Sequence, residues 1–136
     1  MAGHVAHPWS HEEEMVLVLS WLTDSRPGPN NRYWPEVYSS FVTNQPDGAP
    51  SRTQKMCRDH WQRLNLKMWN FTRAYRDARM AKPTVGDEAV LINDALVKYR
   101  ADYHIDFNKM SLWEICKDHP KFRQYNGDLP TNFHQV

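Results

Sequence analysis

An apolar stripe at helical spacing between Cys57 and Ala78 restricts the fold more than any other feature of the sequence. Its members follow one another at alternating steps of four and three residues: Cys57, Trp61, Leu64, Met68, Phe71, Tyr75 and Ala78. Steps of this size place side chains on one face of an α-helix. Because no Pro or Gly interrupts the stripe, it predicts one long helix that is capped by Ser51 and runs to about Met80.

Four further helices are predicted from local patterns. Ser10 with Glu13 forms a capping-box pattern that begins a helix to about Thr23. Aromatic and aliphatic residues at helical spacing predict a second helix over residues 32–43. A fourth helix is predicted from about residue 84–87 to 102, with Ala89, Ile92, Leu96, Tyr99 and Tyr103 on its inner face. A fifth is predicted over residues 111–117, with Pro120 as its stop.

The predicted domain is therefore all-α and covers residues 10–122. A flexible segment is expected at residues 1–9 and an extended tail at residues 123–136, and the turn-forming run "DSRPGPNN" follows the first helix. No secretory signal is visible, and the longest apolar run, "MVLVLSWL", is far shorter than the roughly 20 residues that cross a membrane. We expect reduced cysteines and no membrane partner.

Basic charge is confined to the segment that carries the stripe. Residues 51–82 contain nine Lys or Arg against two Asp or Glu, a net charge of +7, whereas the whole chain has a net charge of +1. On a helical wheel, Arg52, Lys55, Asp59, Gln62 and Arg63 fall opposite the stripe, and Arg58 and Lys67 lie on its flanks. Such a face can neutralise phosphates and read base edges, although a basic solvated helix surface would have the same composition.

The order of the first three helices, the third of them basic, is that of a helix-turn-helix protein. The residues resemble the Myb/SANT family: "PWSHEEEMVLVLSWL" looks like its W-[ST]-x-E-E-D opening, "YWPEV" like its second helix, and "QKMCRDHW" like its third. The resemblance implies that Trp9, Trp34 and Trp61 hold the third helix in place without touching DNA.

The segment beyond the third helix resembles plant Myb/SANT-like proteins related to trihelix factors, including the no-apical-meristem-associated C-terminal domain. The strings "KMCRDHW" and "WEICKDHPKF" are the most specific parts of the similarity, which covers about residues 8–122. Met56 and the acidic Asp59 depart from the family pattern. The expected fold is a three-helix helix-turn-helix (Myb/SANT-like) core extended by two C-terminal helices.

The resemblance implies sequence-specific binding of double-stranded DNA in the nucleus, in transcriptional regulation. The expected contacts are made by Arg52, Lys55, Arg58, Gln62, Arg63 and Lys67. The alternative is a protein-interaction module of SANT type, serving chromatin or a transposase, that uses the basic face or an apolar patch. Other transcription or chromatin proteins are further candidate partners, and the oligomeric state stays open.

Other constellations carry less weight. Cys57 with His60 and Cys116 with His119 are two C-x₂-H pairs, but their spacing differs from the usual zinc knuckle, so no metal or other cofactor is expected. No catalytic spacing or Gly-rich phosphate loop is present, and we expect no enzyme.

Two apolar residues of the third helix, Leu66 and Trp69, lie opposite the stripe. Either the helix with Trp113 and Ile115 covers them or they form a partner site.

Overall fold

The computed structural model describes residues 7–24 and 33–128, and its regular structure in these ranges is entirely α-helical. Six helices follow one another: α1 His11–Thr23, α2 Trp34–Asn44, α3 Gln54–Ala81, α4 Glu88–Tyr103, α5 Met110–Cys116 and α6 Pro120–Tyr125. The all-α prediction is confirmed. The expected turn at residues 25–31, the first six residues of the flexible segment and the tail beyond residue 128 lie outside the described ranges.

Side-chain caps fix the starts of the longer helices. The capping box of α1 is present, because the Glu13 amide donates to Ser10 Oγ at 3.0 Å and the Ser10 amide donates to Glu13 Oε1 at 3.2 Å. The cap of α3 is Thr53 and not Ser51 as predicted, since Thr53 Oγ1 accepts from the Met56 amide at 3.1 Å. The long third helix itself agrees with the prediction from the apolar stripe.

The C-terminal part of the chain differs from the prediction in one respect. Pro120 is the first residue of a sixth helix, α6, and His119 Nδ1 accepts from the Lys121 amide at 3.1 Å. Proline is tolerated at this position because the first amide of a helix has no partner within the helix. The structure is therefore helical through Tyr125, within the region that the sequence pattern assigned to an extended tail.

The first compact unit, Met1–Gln62, is built on aromatic packing between α1, α2 and the first turns of α3. Trp21 stacks on Trp61 with ring centroids 4.2 Å apart, and Trp34 meets Trp61 edge-on at 6.3 Å. Trp34 and Trp61 are each 1% exposed. Trp9 differs from the expectation of a core residue, because its ring is only half-buried. Trp21, and not Trp9, is the third buried tryptophan of this unit beside Trp34 and Trp61.

The second compact unit, Arg63–Val136, is centred on Phe71 of α3. The Phe71 ring is stacked on Phe107 at 4.3 Å and meets Trp113 at 4.8 Å with an angle of 87°. Trp113 Nε1 donates to Thr72 Oγ1 at 3.0 Å, so the buried indole N–H is satisfied.

The buried face of α4 in this unit consists of Leu91, Ala95 and Tyr99. The buried face of α4 thus differs from the predicted inner face, which began with Ala89 and ended with Tyr103. Both of these end residues are exposed.

Candidate nucleic-acid interface

The surface of α3 opposite its buried stripe is polar and cationic. Lys55, Gln62, Arg63 and Lys67 are exposed, and Arg58 and Asp59 are half-buried. Cys57, Trp61, Leu64 and Met68 are buried on the other side of the helix. The structure therefore places five of the six predicted contact residues on accessible positions of one continuous helix.

Arg52 is the exception, and its predicted role as a groove contact does not fit the structure. Its side chain is 2% exposed, and its Nε and Nη2 donate to the two oxygens of Glu13 at 2.9 and 3.0 Å. Its Nη1 and Nη2 also donate to the carbonyls of His7 and Pro8, at 2.7 and 3.2 Å. The wheel placement fails because Arg52 precedes the Thr53 cap and is not part of the helix.

Arg52 belongs to a polar cluster that joins the start of α1 to the first turns of α3. The members of this Arg52 cluster are Trp9, Glu13, Glu14, Arg52 and His60. The Arg52 guanidinium lies 4.5 Å from the Trp9 ring centre, and Trp9 stacks on His60 at 4.3 Å. The Nε2–H of His60 donates to Glu14 Oε2 at 2.8 Å. The cluster fixes the position of α3 relative to α1 within the first unit, and through it Trp9 contributes to the role that was expected of Trp9, Trp34 and Trp61.

The electrostatics of the Arg52 cluster favour an ionised Glu13. Burial by itself would raise the pKa of the Glu13 carboxyl, but the hydrogen bonds from Arg52 and from the Ser10 amide outweigh burial, so that pKa lies below its ordinary value. A buried ion pair with every oxygen hydrogen-bonded is costly to break from one side. The cluster is thus a structural element that joins α1 to α3.

Lys55 is held by a weak contact only. Its Nζ lies 2.6 Å from Asp59 Oδ2, one turn further along α3, and the Lys55 side chain is 75% exposed. Pairs at this spacing on an exposed helix surface stabilise by only a few tenths of a kcal/mol. Lys55 is therefore available to a competing anion, and the acidic Asp59 is neutralised by its neighbour.

Arg63 and Lys67 have no carboxylate partner in the part of the chain that the structure describes. Their charges face solvent on successive turns of α3, together with the amide of Gln62. Guanidinium and amide groups can form bidentate hydrogen bonds with base edges, whereas ammonium groups act as point charges toward phosphate. The face has the donors that a nucleic-acid interface needs.

The two apolar residues on this side of α3 have different environments. Trp69 is half-buried: Phe122 of α6 meets its ring at 6.0 Å, and the Arg76 guanidinium lies 5.1 Å from its centre. Leu66 remains 59% exposed. Trp113, named in one of the two alternatives as a possible cover, packs on Phe71. The covering residue comes from α6, which the sequence pattern did not reveal.

Both cysteines, Cys57 and Cys116, are free and buried. Burial raises the pKa of both thiols, of Cys57 and of Cys116, to about 12. The thiol form of each is therefore favoured at neutral pH, whereas the thiolate is the nucleophilic form. Within residues 7–24 and 33–128, no three His, Cys, Asp or Glu side chains lie close enough together to hold a metal ion.

A membrane-spanning segment is also absent from the described ranges, where every helix is too short or too polar to cross a bilayer.

The described residues thus define an all-α protein whose longest helix carries an exposed cationic face. No family model and no solved structure matches the chain. The sequence is similar to glutathione S-transferase T3 of Arabidopsis thaliana, with 24% identity over 122 residues, which is 84% of this chain and 20% of that protein. The chain spans about a fifth of the length of this relative.

Proposed function

We propose that the chain is a Myb/SANT-like protein that binds double-stranded DNA through α3 in the nucleus and acts in transcriptional regulation. The observation that carries the proposal is the exposed face of α3, on which Lys55, Arg58, Gln62, Arg63 and Lys67 are accessible to a partner. Four cationic side chains against the single acidic Asp59 give this face a net charge of +3. A helix of this kind fits the major groove of B-DNA.

The packing of the first unit supports the proposal that α3 binds DNA. In a helix-turn-helix protein the recognition helix must be held from behind while its outer face stays free. Here Trp61 of α3 packs against Trp21 and Trp34, and the Arg52 cluster ties the first turns of α3 to α1. Both arrangements rigidify the helix without using its cationic face, so little ordering would be needed on binding.

The expected roles follow from side-chain chemistry. Gln62 and Arg63 would contact base edges, since both can form paired hydrogen bonds. Arg58 and Lys67 would contact phosphates, and Lys55 would exchange its exposed contact with Asp59 for a phosphate oxygen. Arg52 is not part of the proposed interface. It belongs to the Arg52 cluster, which holds the first turns of α3 in place.

We propose no enzymatic activity. The named relative is a glutathione S-transferase, but the similarity spans only a fifth of that protein. Both cysteine thiols of this chain are buried, and burial raises their pKa values, which disfavours the thiolate that a nucleophile requires.

An interaction module of SANT type is the second candidate, and the 59% exposure of Leu66 beside Lys67 favours it. An acidic protein partner with an apolar anchor would match this pair. Such a module would show no affinity for duplex DNA at low salt, whereas phosphate binding produces a steep decline of affinity with salt concentration.

The proposal is tested by selecting target sequences from a random duplex library and measuring affinities by fluorescence anisotropy at several salt concentrations. Arg63→Ala should weaken binding to the selected site by about 1–3 kcal/mol and relax the preference at one base pair. Lys67→Ala should weaken binding to all sequences alike and reduce the salt slope by about 1.

Arg100→Ala is the matched control, since Arg100 is an exposed arginine on α4. It should bind the selected site as the unaltered protein does. Absence of duplex binding at low salt, or equal losses in Arg63→Ala and Arg100→Ala, would contradict the assignment of the interface to α3.

A further inference from the structure

The second compact unit contains a cavity of about 400 Å³ whose wall is strongly cationic. Arg76, Arg79, Lys117 and Arg123 line it, against the two acidic residues Glu88 and Asp118. None of these residues belongs to the proposed DNA interface. Three of the four basic side chains have carboxylate partners, Asp128 for Arg76 and Arg123 and Glu88 with Glu114 for Lys117, whereas Arg79 has none among the described residues. An anionic ligand would compensate the remaining charge of this concave site.

Two of these arginines already act as a receptor for a carboxylate. Arg76 donates from Nη1 and Nη2 to the two oxygens of Asp128 at 2.6 and 2.7 Å, and Arg123 Nε donates to Oδ2 at 2.7 Å. Arginine presents its donors in a planar fork, which matches both carboxylate and phosphate. These hydrogen bonds show that two of the lining arginines can hold an oxyanion together, here the carboxylate of Asp128, which itself does not line the cavity.

Further donors remain after Asp128 is bound. Arg79 is exposed and has no ion-pair partner among the described residues. Arg123 uses only Nε toward Asp128, and within the described ranges its two terminal nitrogens have no other acceptor, so they can bind a ligand. Lys117 is less available, since its Nζ lies 3.3 Å from Glu88 and 3.4 Å from Glu114. The accessible charge is thus concentrated on Arg79 and Arg123.

The cavity is larger than an anion alone requires. A water molecule occupies about 30 Å³ of liquid, whereas sites for small molecules typically measure about 300–1,000 Å³. Tyr75 and the buried Trp113 provide aromatic wall, and Lys117 Nζ lies 5.0 Å from the Trp113 ring centre. A ligand with an anionic group and a small organic body would use both parts of the site.

We propose that this cavity binds the phosphate group of a small phosphorylated molecule, with Arg79 and Arg123 as donors and Asp128 as an internal competitor. Phosphate is favoured over carboxylate because Arg76 and Arg123 already converge on one oxyanion while Arg79 also lines the cavity, and phosphate offers more acceptor oxygens in a tetrahedral arrangement. The proposal is independent of DNA binding, since it uses a different set of residues.

Isothermal titration calorimetry on the full chain tests the proposal, with adenosine 5′-monophosphate, inorganic phosphate and adenosine as probes. The two phosphate-containing probes should bind and adenosine should not. Tighter binding of the monophosphate than of phosphate would identify a phosphorylated molecule as the ligand, and equal affinities would identify free phosphate. Absence of binding by both phosphate-containing probes, or equal binding of adenosine, would overturn the proposal.

Variants locate the site. Arg79→Gln should lower the affinity for the monophosphate about tenfold, the effect of losing one charge-assisted hydrogen bond. Arg73→Gln is the matched control: Arg73 is an exposed arginine of α3 that does not line the cavity, and its affinity should be unchanged. Equal losses in both variants would show a diffuse effect of surface charge and would refute a built site.

Asp128→Asn provides an independent test with the opposite sign. Removing the competing carboxylate should raise the affinity for the monophosphate several-fold, because Arg76 and Arg123 are then free to bind it. An unchanged or lower affinity, with helix content unchanged by circular dichroism, would contradict the role of this arginine pair. Arg63→Gln should leave monophosphate binding intact, so failure of the DNA proposal is distinguished from failure of this one.

Discussion

Replacement of Arg52 by methionine tests the structural role of this residue in the Arg52 cluster. Arg52 and Glu13 are each 2% exposed in their side chains and share two hydrogen bonds at 2.9 and 3.0 Å. Methionine keeps much of the side-chain volume but leaves the Glu13 carboxylate buried without its cation. It also removes donors from the carbonyls of His7 and Pro8.

The expected loss is large for a single substitution. Removing one partner of a buried ion pair typically costs about 3–5 kcal/mol, because the remaining charge is uncompensated. A second change, Glu13→Gln, removes that charge, so the double variant should be more stable than Arg52→Met alone. The free energies of unfolding would be measured by urea titration followed by tryptophan fluorescence and circular dichroism.

Lys55→Met is the control, because it also replaces a cationic side chain by methionine but at an exposed position. Because the Lys55 side chain is 75% exposed and its contact with Asp59 lies within one helix, we expect a change below about 0.5 kcal/mol. A loss below about 1 kcal/mol for Arg52→Met, or no recovery in the double variant, would refute the reasoning on the Arg52 cluster.

Three further predictions follow from burial and charge. Because the pKa of Glu13 is lower in the folded than in the unfolded protein, its stabilisation is present above the unfolded value of about 4.3 and is lost as the pH falls through the folded value. The unfolding free energy of Glu13→Gln should therefore fall less steeply in acid than that of the unaltered chain, and parallel curves would contradict this. With pKa values of about 12, Cys57 and Cys116 should react with a disulfide reagent only after denaturation, so rapid labelling of the native chain would argue against their burial. Phe71→Ala should destabilise by about 3–5 kcal/mol and Leu66→Ala by less than about 0.5 kcal/mol in the same urea titration, and equal effects would refute the assignment of core and surface on α3.

The helices were largely predictable because their signals are local. The capping box at Ser10 and the stripe that begins at Cys57 depend on neighbours within one or two turns, and the structure contains both. The sixth helix was not predictable from Pro120, since proline is equally compatible with the end of one helix and the first turn of the next. The inner face of α4 was also ambiguous, because several apolar stripes run along that helix and only its neighbours select one.

The candidate interface was predicted only where the helical wheel applies. Arg63 and Lys67 lie within α3, so their outward direction follows from the position of the buried stripe. Arg52 lies one residue before the Thr53 cap, where a wheel has no meaning, and its partner Glu13 is distant in the sequence.

Helical periodicity, caps and the segregation of basic charge are properties of short stretches of chain, and they can be read from the order of residues. The pairing of Arg52 with Glu13, the cover of Trp69 by Phe122 and the arginine pair at Asp128 are different in kind. Each joins residues from separate parts of the chain, and each depends on how side chains compete for the same buried space and the same charges. Such competition is resolved only when the helices pack, so these contacts belong to the tertiary structure.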